Sequence, residues 1–232
     1  MKGLSFSEPM VRAWMEGRKT VTRRMMNPQP GRDITELLEG PPGSGVFLAY
    51  IKQKYGQEYE IKPRYLPGET VYIKEVWGLL DADFHPVPLP YRNKPYYAYA
   101  HIAYKADHVT GNDGPERVSW KSPMMMPSWA ARSHARIISV RPERVQDITE
   151  KEAIREGIER ETAHGKDLGW KNYLWHGHFG SYGMGNKKSD AWPYQYSTYK
   201  DAVGSFSSLW DSIHPGSWDK NPWVWRIELE KM

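Results

Sequence analysis

The densest chemistry in the sequence is the stretch Gly17-Arg18-Lys19-Thr20-Val21-Thr22-Arg23-Arg24, which puts four cations and two hydroxyls into eight residues. A lysine crowded by arginines is costly to keep charged, so its pKa falls, and a partly neutral amine can serve as a base. A threonine hydroxyl nearby is then a group for it to activate. A second reading of the same residues is a solvated basic strand start or a phosphate-binding patch, because charge runs usually face water.

Positioning decides between these readings. Leu4-Ser5-Phe6 reads as a short strand. Ser7 is a good N-cap, with Glu8 and Pro9 in a first turn that tolerates both. Met10, Val11 and Trp14 share one helical face, and Gly17 stands where a C′ glycine ends a helix. Arg18 and Lys19 therefore emerge at a helix-to-strand junction, and Thr20 to Arg24 run on as a strand. Lys19 and Thr22 are three apart, so in a regular strand they face opposite ways. For both to reach one site, Lys19 must still be in the turn.

Residues 27–66 are punctuated by Pro and Gly, with a helical turn expected over 33–39 and a strand over 46–51. Pro67-Gly68-Glu69 is a turn signal that opens the cleanest strand, Thr70 to Trp77. A strand is expected over 97–104, and an extended segment over 120–129 whose Met124-Met125-Met126 reads as core filler. Ala135 to Arg141 is a further strand. Thr149 with Glu152 three later signals a capping box, opening a helix that Gly157 ends. Glu156 lies in the last turn of that helix, against its dipole, where an exposed side chain is the ordinary outcome.

Residues 159–196 show no apolar period and read as a long loop; His176-Gly177-His178 within it lacks the third and fourth ligands that a zinc site needs. Tyr199, Val203, Phe206, Trp210 and Ile213 then share a helical face. The final strand, Trp223 to Leu229, alternates with Trp223, Trp225, Ile227 and Leu229 inward and Arg226, Glu228 and Glu230 outward.

Composition sets the outer bounds. Zero cysteines exclude disulfides and Cys-ligated zinc, and fit a cytoplasmic location. No stretch approaches the apolar length of a membrane span or a signal peptide, so no membrane partner is expected. The formal net charge of +4 is compatible with nucleic acid without being diagnostic. P-loop, dinucleotide-binding, His-Glu-x-x-His and Gly-x-Ser-x-Gly signatures are missing.

Taken in order, several strings fall into a known pattern. They are Gly17-Arg18-Lys19-Thr20-Val21-Thr22 and Pro67-Gly68-Glu69, then Val145-Gln146-Asp147-Ile148-Thr149-Glu150 with Ala153 and Glu156-Gly157. Leu209-Trp210 and Asn221-Pro222-Trp223-Val224-Trp225 complete the set. The set resembles the ASCH domain family, in particular its long phage and prophage-type members, over residues 2–26, 64–78, 120–158 and 198–230. The resemblance implies an α+β, PUA-like fold: a small β-barrel with flanking helices and a cleft on one side. It implies one domain over 1–232 with long loop insertions at about 28–63, 78–119 and 159–197. It also implies contact with RNA or nucleotides. Small bacterial members are amidohydrolases that remove the acetyl group from the exocyclic amine of acetylated cytidine, using a Lys, a Thr three residues later and a later Glu. By motif these fall on Lys19, Thr22 and Glu156. The small enzymes are less than half this length, so the insertions bear on the cleft.

Two functions follow. In the first, Lys19 is the general base, kept partly neutral by Arg18, Arg23 and Arg24. Thr22 is the nucleophile and Glu156 hands a proton to the leaving amine. A backbone amide near Gly17 would serve the oxyanion, and no metal or organic cofactor is needed. In the second, the chain is an RNA, DNA or modified-base binding module without catalysis. Arg18, Thr20, Arg23 and Arg24 then hold phosphates, while Trp77, Trp129 or Tyr97 stack a base whose polar edge Glu156 reads. A ribonuclease is a weaker third, with no second carboxylate or histidine clearly placed. Protein partners are left open.

Overall fold

A computed structural model describes residues 1–31, 34–40, 47–51, 58–80, 101–107, 118–163, 165–174 and 198–232. The architecture is mixed α+β with a core made mostly of sheet. Five strands form the central sheet: β1 (Lys2–Ser5), β2 (Val21–Met25), β6 (Thr70–Lys74), β9 (His134–Arg144) and β13 (Trp223–Lys231), in the order β1-β6-β9-β13-β2. β1 runs parallel to β6, with Leu4 opposite Ile73. The other neighbours are antiparallel, with Val71 opposite Ala135, Arg226 opposite Arg141 and Ile227 opposite Thr22. Among the described residues no ladder joins β1 to β2, so strand pairing does not close the sheet into a barrel. Smaller sheets join β3 (Ile34–Glu39), β4 (Phe47–Ile51) and β5 (Glu58–Ile61); β7 (Trp77–Leu80) and β8 (His101–Tyr104); and β10 (Arg160–Ala163), β11 (Lys166–Lys171) and β12 (Thr198–Tyr199).

Three helices flank the central sheet: α1 (Glu8–Met15), α2 (Glu150–Arg155) and α3 (Ala202–Ile213). α1 starts after Ser7, buries Met10, Val11, Ala13 and Trp14, and ends at Gly17, whose φ of +78° is the left-handed C′ conformation. Thr149 Oγ1 accepts the Glu152 amide at 3.3 Å, but the Glu152 carboxylate turns to arginines instead of closing the capping box. The main core lies between the sheet and the helices, with Leu4, Trp14, Ile73, Ile137, Phe206 and Ile227 among its members. A second, smaller cluster gathers Trp77, Leu79, Met126 and Ala130.

Several elements differ from the sequence reading. Residues 34–39 are strand β3, not a helical turn; pairing with β4 outweighs the helix propensity of Glu-Leu-Leu-Glu. The expected strand 70–77 breaks after Lys74, and Trp77 opens β7. Short 3-10 turns occupy 123–125 and 128–130 of the segment read as extended. Of the three methionines only Met126 is core, and Met124 is 77% exposed. Residues 160–163 and 166–171 pair as antiparallel β10 and β11 where a loop was expected. On α3 Ile213 is exposed, and in β13 Arg226 is buried along with its inward neighbours because α2 presents Glu152 to it. Tyr97, His176 and His178 lie outside the described residues.

Candidate functional site

Two glycine-terminated helices meet where the site forms. The C-terminal end of α1 and the C-terminal end of α2 dock on each other through the linker 18–20. The Thr20 amide donates to the Arg155 carbonyl at 2.9 Å, and Arg18 Nη1 donates to the Gly157 carbonyl at 3.0 Å. Gly157 has a φ of +90°, and a Cβ there would lie 2.6 Å from Ala13 Cβ and 3.0 Å from Lys19 Cβ. Only glycine supplies that conformation at that closeness. The contact carries Lys19, still in the turn before β2, onto the Glu156 side chain.

Lys19 and Glu156 form a buried ion pair, 2% and 3% exposed. Lys19 Nζ donates to Glu156 Oε2 at 2.7 Å, to the Glu156 carbonyl at 2.8 Å and to the Val21 carbonyl at 2.9 Å. Three acceptors satisfy the three donors of an ammonium. Burial pulls the amine below the ordinary lysine range, Arg24 and Arg23 pull the same way, and the charge and hydrogen bond of Glu156 oppose them. The site therefore holds a charged lysine by geometry while its surroundings lower the cost of losing the proton.

The rest of Glu156 is held by Arg23. Arg23 Nη1 donates to Glu156 Oε1 at 3.2 Å, Nε to Glu143 at 2.6 Å and Nη2 to Glu152 at 2.5 Å. Arg226 Nε also donates to Glu152, at 2.7 Å, and Arg23 and Arg226 hold that carboxyl below its usual range although burial pushes it up. Burial and the Glu152 charge push Glu143 up, against Arg23.

Lys19, Thr22, Arg23, Arg24 and Glu156 line one cavity of about 50 Å³, walled by Phe6, Met10, Phe206, Trp210 and His214. Thr22 is buried in β2, yet no hydrogen bond to a described residue engages its hydroxyl. Arg24 behaves unlike Arg23. Its Nη2 donates to the Ser5 carbonyl of β1, its Nε is buried without a partner, and among the described residues no carboxylate bonds it. His214, at the end of α3, stacks on Trp210 with ring centroids 4.7 Å apart. Burial and then Arg24 lower its pKa from the ordinary histidine value, against Asp211.

The structure thus brings Lys19, Thr22 and Glu156 to one cavity, with Arg23 and Arg24. It does not bring the other expected residues there. Arg18 turns away to Glu16 at 2.6 Å and to Glu159, so it does not act on the Lys19 amine. Thr20 Oγ1 accepts from Arg155 Nε at 3.0 Å. Trp77 is 1% exposed in the second core cluster and offers no face to a base; Trp129, 53% exposed, meets its edge at 6.0 Å. The amides of Gly17, Arg18, Lys19 and Thr20 all donate to backbone carbonyls, which removes them as oxyanion donors. Phe206, Trp210 and His214 reach the cavity from α3 and its end, far along the chain, so the helical spacing that marked Phe206 and Trp210 did not tie them to Lys19; Phe6 reaches it from just after β1. Among the described residues no three of His, Asp or Glu converge as a metal site, and no helix is long and apolar enough to cross a membrane. No family model, curated protein or solved structure matches the chain.

Proposed function

We propose that the chain is an amidohydrolase of the ASCH type, removing the acetyl group from the exocyclic amine of an acetylated cytosine nucleoside or a relative of it. The observation that carries this reading is the uncommitted Thr22 hydroxyl in the same cavity as the buried Lys19–Glu156 pair. A proton passed from Lys19 Nζ to Glu156 Oε2, over 2.7 Å, turns the ion pair into a neutral amine beside a neutral acid. Burial favours loss of the lysine charge, since an ammonium out of water is penalised. The amine then takes the Thr22 proton as Oγ1 attacks the acetyl carbon. The acid protonates the departing exocyclic nitrogen as the C–N bond breaks. The product is an acetyl ester on Thr22 and free cytosine amine, with Lys19 and Glu156 again ionised. Glu156 then takes a proton from water as its oxygen attacks the ester carbon, Lys19 returns a proton to the departing Thr22 Oγ1, and the acetic acid formed leaves as acetate and a proton. A cavity of about 50 Å³ admits a group of a few atoms, so the acetyl enters and the nucleoside body stays outside.

In this reading the fold is a PUA-like barrel left open between β1 and β2, forming one domain over the whole chain. One observation favours the second function, a binding module. The three acceptors around Lys19 suit a permanent ammonium that fixes the Glu156 side chain in the cavity wall, an arrangement that would serve a site holding a modified base without chemistry. Acetylated cytidine separates the two. The purified protein should bleach its ultraviolet band, and Thr22→Ala should lower the rate by about 10³-fold or more with the circular dichroism unchanged. No bleaching by folded wild type removes the hydrolase. Full turnover by Thr22→Ala removes Thr22 as nucleophile.

A further inference from the structure

The two edge strands of the central sheet face a common cleft. β1 pairs only with β6 and β2 only with β13, yet residues of β1 and β2 line one cleft of about 600 Å³. Arg24 bridges this seam through the Ser5 carbonyl and lines both the cleft and the Lys19 cavity. Lys62, Arg64 and Lys74 join Arg24 around the cleft, over a floor that includes Tyr65 and Trp225. No carboxylate is among the described lining residues. Among the described residues, only Lys62 of the four cations has a carboxylate partner, Glu60, at 3.3 Å between two exposed side chains, which is a weak tie. Lys74 donates to the Met124 carbonyl at 2.9 Å, and Arg24 keeps a buried Nε with no acceptor. Four cations around one concavity whose described lining holds no carboxylate make a positive field suited to an anionic group.

We propose that this seam cleft binds the phosphate of a nucleotide whose base is presented to the Lys19 cavity. Phosphate binding by the cleft stands on its own; presentation of the base rests on the hydrolase reading. The geometry explains why the cavity takes only a few atoms: the sugar and phosphate belong in the adjoining space, and Arg24 marks the boundary. The substrate class is then a nucleotide rather than a free nucleoside, either a mononucleotide or a residue within a single strand. Asn27, Lys62 and Trp225 also line a neighbouring cleft of about 550 Å³, which gives a strand room to continue.

The test compares cytidine, cytidine 5′-monophosphate and a fluorescein-labelled cytidylate hexamer on the full chain, by calorimetry and anisotropy. The monophosphate should bind about tenfold tighter than cytidine, and Lys62→Glu/Arg64→Glu should remove that gain. Lys62→Gln/Arg64→Gln should lose part of it, which guards against a folding defect in the reversed pair. Lys151→Glu/Lys166→Glu makes the same change in net charge at exposed positions outside the cleft, and should keep the gain. A hexamer that binds tighter still, with a steeper salt dependence, identifies a strand; parity with the monophosphate identifies the mononucleotide. Equal affinity for cytidine and its monophosphate, or equal loss in the two reversed pairs, overturns the cleft. Phosphate-dependent binding in a protein that hydrolyses no acetylated cytosine keeps the cleft and removes the hydrolase. Hydrolysis with no preference for phosphate does the reverse.

Discussion

At the scale of single residues, the Lys19–Glu156 pair is asymmetric, and the asymmetry can be measured. Glu156 answers to two cations, Lys19 at 2.7 Å and Arg23 at 3.2 Å. Lys19 answers to one carboxylate. Replacing Glu156 by Leu strands a buried ammonium on two carbonyls, and removing one partner of a buried pair costs about 3–5 kcal/mol. Replacing Lys19 by Met leaves the carboxylate on Arg23, so the loss is closer to one charged hydrogen bond, about 1.5–3 kcal/mol. Lys19→Met/Glu156→Leu should be more stable than Glu156→Leu alone, since it removes the stranded charge as well. Urea unfolding of the three variants checks the order. Equal destabilisation by the two single changes would show that Arg23 does not support Glu156. Glu156 was legible in the sequence only through the family pattern. Its own position, in the last helical turn, reads as solvent; its partner Lys19 stands 137 residues away, and no local pattern reports that distance.

At the scale of elements, the site depends on how two helix ends meet, and two glycines separate conformation from contact. Gly17 and Gly157 both terminate a helix with positive φ. A Cβ on Gly17 would meet nothing within 4 Å, whereas one on Gly157 would run into Ala13 and Lys19. Gly17→Ala should therefore cost only the left-handed backbone penalty, about 1–2 kcal/mol. Gly157→Ala should cost that plus the displacement of Lys19, and should lower turnover of acetylated cytidine where Gly17→Ala does not. Thermal unfolding and the ultraviolet assay together make the comparison. Equal effects would mean that the α1–α2 contact does not position Lys19. The helix ends were legible, because Pro9, Gly17, Thr149 and Gly157 act locally; Ser7 holds the N-cap position of α1, but its hydroxyl makes no cap hydrogen bond. The strands 34–39, 160–163 and 166–171 were not, because their pairing partners, rather than their own periodicity, make them strands.

At the scale of the whole molecule, adjacent arginines on β2 serve opposite ends. Arg23 is fully buried under α2 and α3 and ties together Glu143, Glu152 and Glu156, three carboxylates from two other elements and the end of α2. Arg24 crosses the open seam, bonds no carboxylate among the described residues, and keeps a buried donor unsatisfied; burial lowers its pKa from the ordinary arginine value. The first arrangement holds the fold and the second is a strain the fold tolerates, the usual mark of a residue kept for binding. Arg23→Met should take one cation from each of three carboxylates that keep another, Lys19 for Glu156, Arg226 for Glu152 and Arg141 for Glu143, and should cost at least one charged hydrogen bond, about 1.5–3 kcal/mol. Arg24→Met should leave the melting temperature unchanged or raise it, because an apolar side chain of similar length removes a desolvated cation and still covers Phe6. The same Arg24→Met protein should bind cytidine 5′-monophosphate about tenfold more weakly, having lost the cation that joins the cleft to the cavity. Calorimetric melting and titration of the two variants decide the matter. A large loss of stability in Arg24→Met would make Arg24 the clasp of the sheet, and its unsatisfied donor would then be a cost of closing β1 onto β2 rather than a place for phosphate.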